Sequence, residues 1–282
     1  MNDLKVSTKT IIASSNLNIE NMERIYELLP VNTNDNNVSI QTIYYKNEMK
    51  GDENCTTKAF RKVKKSFRNA INVVMKIEDN PPKNINFKLS KNGKFQITGC
   101  KKEEHAVSAI RAFISYLFIY CRENIGIVRI SGKPESFIRV FFQTVMTNVD
   151  FNVNYKIDRQ KLDELLHTET LYHSLLETSF GYTGVNIKIP IGNEWASYPV
   201  PVIEGTDGMF WEIKNIPLNE VSHLTNAVMA KKRFNTFLVF HSGNIIMSGM
   251  RQETMEEHYL AFINILHQWK YKIQETIEPI HF

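Results

Sequence analysis

The chain has 282 residues, of which 43% are hydrophobic and 23% charged, enough apolar material for one large or two small globular domains. Cys55, Cys100 and Cys121 are odd in number and lack zinc-like spacing, so neither a disulfide framework nor a metal site is expected. The longest apolar stretch, residues 112–120, is far shorter than the roughly 20 residues of a membrane span. We therefore expect an intracellular protein without membrane partners or cofactors.

The formal net charge is +4 and the isoelectric point is near 8.8, which permits nucleic-acid binding without requiring it. Local charge is more informative than the total, because residues 58–68 contain six cations: Lys58, Arg61, Lys62, Lys64, Lys65 and Arg68. Such a run is typical of a solvated basic helix or loop, or of a segment that contacts phosphates.

In the first half, residues 5–30 predict a strand and then a helix whose apolar face carries Ile19, Met22, Ile25 and Leu28. A strand follows at residues 70–77. Apolar alternation over residues 85–97, interrupted by Asn92-Gly93, predicts a hairpin with a tight turn. The period then changes to that of a helix, with the apolar positions Ala106, Ile110, Phe113, Ile114 and Leu117.

The second half has the same order of patterns. Residues 141–166 predict a strand and a helix, residues 181–189 a strand, and residues 237–247 a hairpin with its turn at Ser242-Gly243. A helix with Met255, Tyr259, Phe262, Ile263 and Leu266 follows. The doubled order predicts an α+β protein of two pseudo-symmetric repeats, with antiparallel strands and all helices on one face.

Four short segments carry a resemblance to a known family. TGCK after an NGK turn, SGMR after SGN, and the strands VVMKI and GYTGVNIKI resemble the core of the TATA-box-binding protein family. The composition, rich in Asn and Lys, and the long insertions resemble divergent members from large nucleocytoplasmic DNA viruses. The resemblance implies a saddle-like curved antiparallel sheet with helices on the convex face. It divides the chain into a first repeat at 1–117, an inserted linker at 118–137, and a second repeat at 138–282 that contains an insert at 190–233.

The resemblance also implies a function. Family members bind and bend promoter DNA through the minor groove and recruit a factor-B-like initiation protein and RNA polymerase. We therefore expect double-stranded, A·T-rich promoter DNA as the partner, no small-molecule substrate, and a location in the host nucleus or a cytoplasmic viral factory, or in the virion.

Strand alternation predicts two faces in the second repeat. Phe237, Val239, Ile245 and Met247 should face the helices, whereas Leu238, Phe240, Ile246 and Ser248 should line the concave, DNA-facing side. By resemblance, Phe240 and Tyr182 correspond to intercalating aromatics, Asn148 to a minor-groove asparagine, and Lys188 and Arg251 to phosphate contacts. A core aromatic is the structural alternative for Phe240.

The first repeat departs from the family. Its concave positions are Lys88, Ser90, Gln96 and Thr98, and Ser90 and Ala70 stand where intercalating aromatics would be, with Phe67 three residues away. Thr98, Lys101 and Lys76 are still expected to contact DNA. In the second repeat, Asp150 lies on the face of Asn148, and a carboxylate is unfavourable against phosphate-lined DNA unless it pairs with a cation.

Two inserts distinguish the chain. Residues 118–137 lengthen the link between repeats and are expected to add a strand near residues 126–130. Residues 190–233 replace a short loop that flanks DNA in the family, and Trp195, Phe210 and Trp211 favour a folded insert. We expect it to fold against the second repeat and to reshape a partner surface, because Glu194, Glu204, Asp207, Glu212 and Glu220 would repel phosphate; a self-packed excursion is the alternative.

An enzyme is not expected, because the sequence contains no HExxH, GxxxxGK[ST] or GxSxG motif and no paired metal-ligand spacing. Two other functions stay open beside the initiation factor. One is a protein-interaction scaffold with the same fold that has lost minor-groove binding, which Lys88, Ser90, Gln96 and Asp150 favour. The other is a general basic DNA-binding or packaging protein.

Overall fold

A computed structural model describes residues 4–31, 38–52, 69–121, 126–132, 137–176, 184–206, 210–221 and 232–275. The chain forms two compact units. The N-unit contains the described residues of Lys9–Val145 and Ser197–Ser222, and the C-unit contains those of Met1–Thr8, Met146–Ala196 and His223–Phe282. The N-unit therefore holds most of the first repeat, and the C-unit most of the second.

The N-unit is an antiparallel sheet with helices packed on one face. Its sheet order is β1-β7-β6-β5-β3-β4, and β2 pairs separately with β8. The bounds are β1 Val6–Ser15, β2 Leu17–Ile19, α1 Met22–Leu28, β3 Ser39–Tyr45, β4 Glu48–Gly51, β5 Ala70–Ile77, β6 Lys83–Ser90, β7 Lys94–Cys100, α2 Glu103–Cys121 and β8 Val128–Ile130. Strand β8 confirms the strand expected in the linker.

The strands of the C-unit are also antiparallel and follow the order β10-β11-β14-β15-β9. The bounds are β9 Phe137–Asn152, α3 Arg159–Glu169, β10 His173–Leu176, β11 Gly184–Ile191, β14 Arg233–Phe240, β15 Asn244–Gly249, α4 Gln252–Gln268 and α5 Lys270–Ile273. The unit boundaries fall within β1 and β9, so each of these strands contributes residues to both units.

The internal order of the two sheets is the same. In each unit the first strand pairs with the last strand of the long hairpin, β1 with β7 and β9 with β15. In each unit the other hairpin strand pairs with the middle strand, β6 with β5 and β14 with β11. Both units are α+β with antiparallel strands, as the sequence predicts.

Glycines close both hairpins. Gly93 and Gly243 have φ of 69° and 81°, and their N–H groups donate to Ser90 O and Phe240 O at 3.1 and 3.0 Å. A Cβ on Gly93 would lie 2.1 Å from Leu17 O, and one on Gly243 would lie 2.2 Å from Tyr155 O. Each turn therefore requires glycine both for its left-handed backbone and for the close approach of a neighbouring carbonyl.

Aromatic side chains fill both cores. In the N-unit, the Phe113 ring of α2 meets Phe87 and Phe95 edge-on, with centroids 5.0 and 6.2 Å away. In the C-unit, Phe262 of α4 packs on Phe237 of β14 with centroids 4.3 Å apart. All five side chains are at most 2% exposed, so these contacts attach the long helices to one face of each sheet.

The insert folds into a hairpin, β12 Pro199–Thr206 and β13 Phe210–Pro217, flanked by the 3₁₀ turns Asn193–Ser197 and Leu218–Glu220. Strand β12 pairs with the start of β9, and Ile203 is fully buried in the N-unit core. We expected the insert to fold against the second repeat. Strand β12 does pair with residues 137–141, where that repeat begins, but the hairpin belongs to the N-unit because Ile203 packs into the N-unit core. The insert leaves and re-enters the C-unit at neighbouring points, since Ile191 and Arg233 are cross-strand partners.

Candidate nucleic-acid interface

The C-unit sheet has one face packed on helices and one face against which none of the described helices packs. Phe237, Val239, Ile245 and Met247 are buried in a cluster with Met255, Phe262 and Leu266 of α4. Leu238, Phe240, Ile246 and Ser248 alternate with them and are half-buried on the other face. The two faces predicted from alternation are confirmed. We call the face with Asn148, Asp150, Lys188, Leu238, Phe240, Ile246 and Ser248 the C-unit open face.

Strand register aligns the open face into cross-strand rows. The Ser248 row contains His173, Lys188, Thr236, Ser248 and Asn148, and the Ile246 row contains Leu175, Asn186, Leu238, Ile246 and Asp150. Neighbouring strands lie about 4.8 Å apart, so side chains within a row are in contact range. Leu175 is 60% exposed at the edge of its row. Register thus places the predicted residues Asn148, Lys188 and Ser248 in one row and Leu238 and Ile246 in the next.

A hydrogen bond orients the amide of Asn148. Ser248 Oγ donates to Asn148 Oδ1 at 2.8 Å, across a sequence separation of 100 residues. Ser7 Oγ donates to the main-chain oxygen of Asn148 at 2.9 Å and fixes the backbone there. Because Oδ1 is occupied, the amide of Asn148 is available to a ligand mainly as the donor Nδ2. Base edges in the minor groove carry the matching acceptors.

Phe240 ends β14 beside a concavity of about 800 Å³ that Asp150, Ile246, His241 and Asn244 also line. Phe240 is half-buried and does not belong to the buried C-unit cluster, so the core interpretation does not apply to it. Its cross-strand partner is Gly184. A Cβ on Gly184 would lie 2.6 Å from Leu238 Cδ1, so glycine leaves room for the side chains of β14 on this face.

The other residues expected to contact DNA in the second repeat are Tyr182 and Arg251. Tyr182 is outside the described residues, as are Phe67 and the basic run at 58–68. Arg251 is the N-cap residue of α4, beyond the end of β15. Arg251 therefore lies at the junction of strand and helix and not in a row of the open face.

The N-unit face without helices is polar, as expected. Thr98 is exposed on it, paired with Asn86, and Lys76 is half-buried on β5, paired with Asn84. Lys101 is exposed in the bend that follows β7. Neither expected aromatic position holds a ring, because the two positions are occupied by Ser90 and Ala70, which are cross-strand partners. Ser90 Oγ donates to Lys94 O at 3.0 Å.

Part of this N-unit face is also closed to solvent. Thr42, Asn72 and Val74 are 2%, 8% and 1% exposed, and Thr42 and Val74 are cross-strand partners. Asn72 Oδ1 and Asn86 Oδ1 have no hydrogen-bond partner among the described residues. Half-buried apolar side chains thus line the open face of the C-unit, whereas the corresponding face of the N-unit is polar and partly buried.

Acidic side chains of the insert hairpin are paired. Glu204 contacts Arg139 Nε and Lys214 Nζ at 3.0 Å each, and Glu212 contacts the same Nζ at 3.0 Å. Hydrogen bonds to Glu204 and Glu212 raise the pKa of Lys214 above its ordinary value. These two carboxylates are locally compensated, so they repel phosphate less than the sequence suggests.

The two described cysteines are buried thiols. Burial raises the pKa of Cys100 to about 12 and that of Cys121 to about 11, so both are protonated thiols at neutral pH. Among the described residues, no three His, Cys, Asp or Glu side chains come together as a metal site. In the same part of the chain, no helix is long and apolar enough to cross a membrane.

Two residues of the open face, Asn186 and Thr236, were not predicted from the sequence. Both are half-buried beside predicted positions, Asn186 next to Leu238 and Thr236 next to Ser248. The alternation that identified Leu238 and Phe240 could have found both residues. Thr236 lies two positions before Leu238 on β14, and Asn186 follows when the same alternation is applied to β11.

Comparisons with known proteins bear on the class of this protein. No family model matches the chain. A protein of Invertebrate iridescent virus 6, named uncharacterized protein 335L, is 24% identical over 227 residues, 76% of this chain and 64% of that protein. The TATA-box-binding protein-like protein of Acanthamoeba polyphaga mimivirus is 32% identical over 117 residues, 36% of this chain and 29% of that protein.

The chain thus spans less than two thirds of the length of one relative and less than a third of the length of the other. Among solved structures, Methanococcus jannaschii TBP aligns with a TM-score of 0.45 and 11% identity, over 94% of this chain and 99% of that one. The chain is similar to proteins of large DNA viruses. The resemblance to a divergent viral TATA-box-binding protein-like protein, inferred from the sequence, is confirmed by the mimivirus protein.

Proposed function

We propose that the protein is a TATA-box-binding-protein-like transcription initiation factor that binds the minor groove of promoter DNA through the C-unit open face. The observation that carries this proposal is the half-buried set Leu238, Phe240 and Ile246 on a sheet face without helices. An apolar sheet surface fits the shallow, opened minor groove, where A·T pairs present acceptors and few donors.

The rest of the face supplies complementary groups. The amide of Asn148, oriented by Ser248 at 2.8 Å, donates to acceptors on base edges. Lys188 is exposed at the outer part of the same row and is placed to contact the phosphate backbone. Phe240 at the end of β14 acts as a wedge that unstacks one base step and kinks the duplex. The protein acts without catalysis.

The bent complex then recruits a factor-B-like initiation protein and RNA polymerase. The similarity to the mimivirus protein supports this role, because that protein is named TATA-box-binding protein-like. The insert hairpin β12–β13 offers an additional surface for such a partner, with Ile213 53% exposed on its outer strand.

A second candidate function is a protein-interaction scaffold without minor-groove binding. The polar N-unit face, with Thr42, Asn72 and Val74 buried, favours it. The scaffold would keep both sheets for protein partners and would bind A·T-rich duplexes no better than other polyanions.

Bending of a labelled duplex tests the proposal. Fluorescence energy transfer between dyes at the ends of an A·T-rich duplex should increase when the protein binds. Phe240→Ala should reduce that increase and weaken binding by about tenfold, because a wedge offsets an unstacking cost of a few kcal/mol. Ser90→Ala, at the matching N-unit position, is the control and should leave both readings unchanged. Equal losses in the two variants, or no bending by the wild-type protein, would contradict the proposal.

A further inference from the structure

One acidic side chain stands on the C-unit open face. Asp150 is exposed on β9, pairs across strands with Ile246, and lines the same concavity as Phe240. Among the described residues it forms no ion pair, so no cation there neutralises it. Because an uncompensated carboxylate is costly on a surface that binds DNA, Asp150 requires a donor from the ligand.

The minor groove offers one donor that fits. A·T pairs present only the acceptors adenine N3 and thymine O2, whereas a G·C pair adds the N2 amino group of guanine. An ionised carboxylate is acceptor-only, so it is repelled by the edge of an A·T pair and can accept from that amino group. Asn148, two residues earlier on the same face, offers a donor instead. Residues two apart on a strand are about 6.7 Å apart, so the two side chains reach different base pairs.

We infer that Asp150 is a specificity-determining residue that accepts a hydrogen bond from the N2 amino group of a guanine. The preferred duplex is therefore A·T-rich with one G·C pair opposite Asp150, next to the step opened by Phe240. This inference rests on the proposed function, since it requires minor-groove binding by the C-unit open face.

Duplexes that differ in a single amino group test the inference. One G·C pair is moved through an A·T-rich duplex, and at each position a matched duplex carries inosine in place of guanine. Inosine lacks only the N2 amino group, but its pair with cytosine also has one hydrogen bond fewer, so the Asp150 variants are needed to separate the proposed contact from the stability of the pair. At one position the wild-type protein should bind the guanine duplex about tenfold more tightly than the inosine duplex, as expected for a hydrogen bond to a charged group.

Variants of the full chain assign the preference to the side chain. Asp150→Asn and Asp150→Ala should lose most of the guanine preference and should bind the inosine duplex at least as well as the wild-type protein, because the repelling charge is gone. Glu256→Gln removes one negative charge from the exposed side of α4 in the same unit and should keep the preference. Retention of the wild-type guanine preference in Asp150→Ala would overturn the inference.

The outcomes separate this inference from the proposed function. A wild-type protein that binds and bends the duplexes but treats guanine and inosine alike at every position contradicts the role of Asp150 alone. A wild-type protein that bends none of the duplexes contradicts minor-groove binding, and the role of Asp150 with it.

Discussion

At the scale of single residues, Asp79 links the β5–β6 hairpin to helix α2. Its carboxylate lies 2.6 Å from Lys83 Nζ and 3.2 Å from His105 Nε2. The hydrogen bond from Lys83, followed by the main-chain hydrogen bond from Asn80, lowers the pKa of Asp79 from 3.8 to about 2. Burial is the main reason that the pKa of His105 is lowered, which keeps this imidazole neutral at neutral pH.

The lowered pKa of Asp79 predicts a dependence of stability on pH. The folded protein holds the ionised form more strongly than the unfolded chain does, so the contribution is complete above about pH 4 and disappears as pH falls towards 2. Asp79→Asn should therefore be less stable than the wild-type protein at pH 7, and the difference should shrink across that window. Urea unfolding at stepped pH measures it, with Glu78→Gln at an exposed neighbour as the control. A difference that is the same at pH 2 and pH 7 would refute the assignment.

At the scale of elements, the insert hairpin completes the N-unit. Strand β12 contributes Ile203 to the buried core, and the partly buried Trp211 of β13 packs against that core. Ile203 and Ile213 are cross-strand partners, yet Ile203 is fully buried and Ile213 is 53% exposed. At this pair of positions the inner strand is therefore part of the N-unit core, and the outer strand is exposed to solvent.

The difference in burial between Ile203 and Ile213 predicts that the same substitution lowers the free energy of unfolding by different amounts at the two positions. Ile203→Ala should reduce the free energy of unfolding by about 2–5 kcal/mol, because it leaves a cavity in the core. Ile213→Ala, the matched control, should cost less than about 1 kcal/mol. Chemical denaturation followed by near-ultraviolet circular dichroism checks both values. Similar costs for the two variants would show that the hairpin does not pack as described.

At the scale of the whole molecule, charge is modest and distributed. The net charge of +4 cannot by itself provide strong attraction to a polyanion. The contribution of each cation to DNA binding therefore depends on its position. Lys188 is exposed on the C-unit open face, whereas Lys214 lies between Glu204 and Glu212 at 3.0 Å from each. Two lysines of equal formal charge therefore have different electrostatic surroundings.

The salt dependence of DNA binding should distinguish these lysines. Lys188→Gln should reduce the slope of log K against log salt concentration by about one, as expected for the loss of one phosphate contact. Lys214→Gln should leave the slope unchanged, because its charge is already paired. Fluorescence anisotropy titrations between low and moderate salt provide the slopes. If Lys214→Gln changed the slope as much as Lys188→Gln, the insert would have to contact DNA.

The sequence predicts those features that depend on local periodicity. Alternation along β14 and β15 placed Phe237 and Leu238 on opposite faces, and Gly93 and Gly243 marked both turns. The destination of the insert could not be predicted, because the pairing of β12 with β9 joins residues about sixty positions apart. The burial of Thr42 and Asn72 could not be predicted either, since polar residues that alternate with apolar residues along a strand predict a face exposed to solvent.

The residues of the candidate site also fall into those that local periodicity predicts and those that it does not. Period two located Leu238, Phe240, Ile246 and Ser248, whereas Asn148 and Lys188 were identified only by resemblance to a family. The hydrogen bond between Ser248 and Asn148 spans 100 positions and depends on sheet register, which no local pattern encodes.

The pairing of Ile191 with Arg233 has a consequence for the order of folding. Joining β11 to β14 closes a loop of roughly 40 residues where a hairpin of ordinary length would close about four. The entropy of that closure grows only logarithmically, so the added cost is roughly 2 kcal/mol. The β12–β13 hairpin pairs residues that are close in sequence and can form within microseconds, which shortens the flexible part of the loop before it closes. The central strand pair of the C-unit is therefore expected to form after the insert hairpin, although the insert folds as part of the other unit.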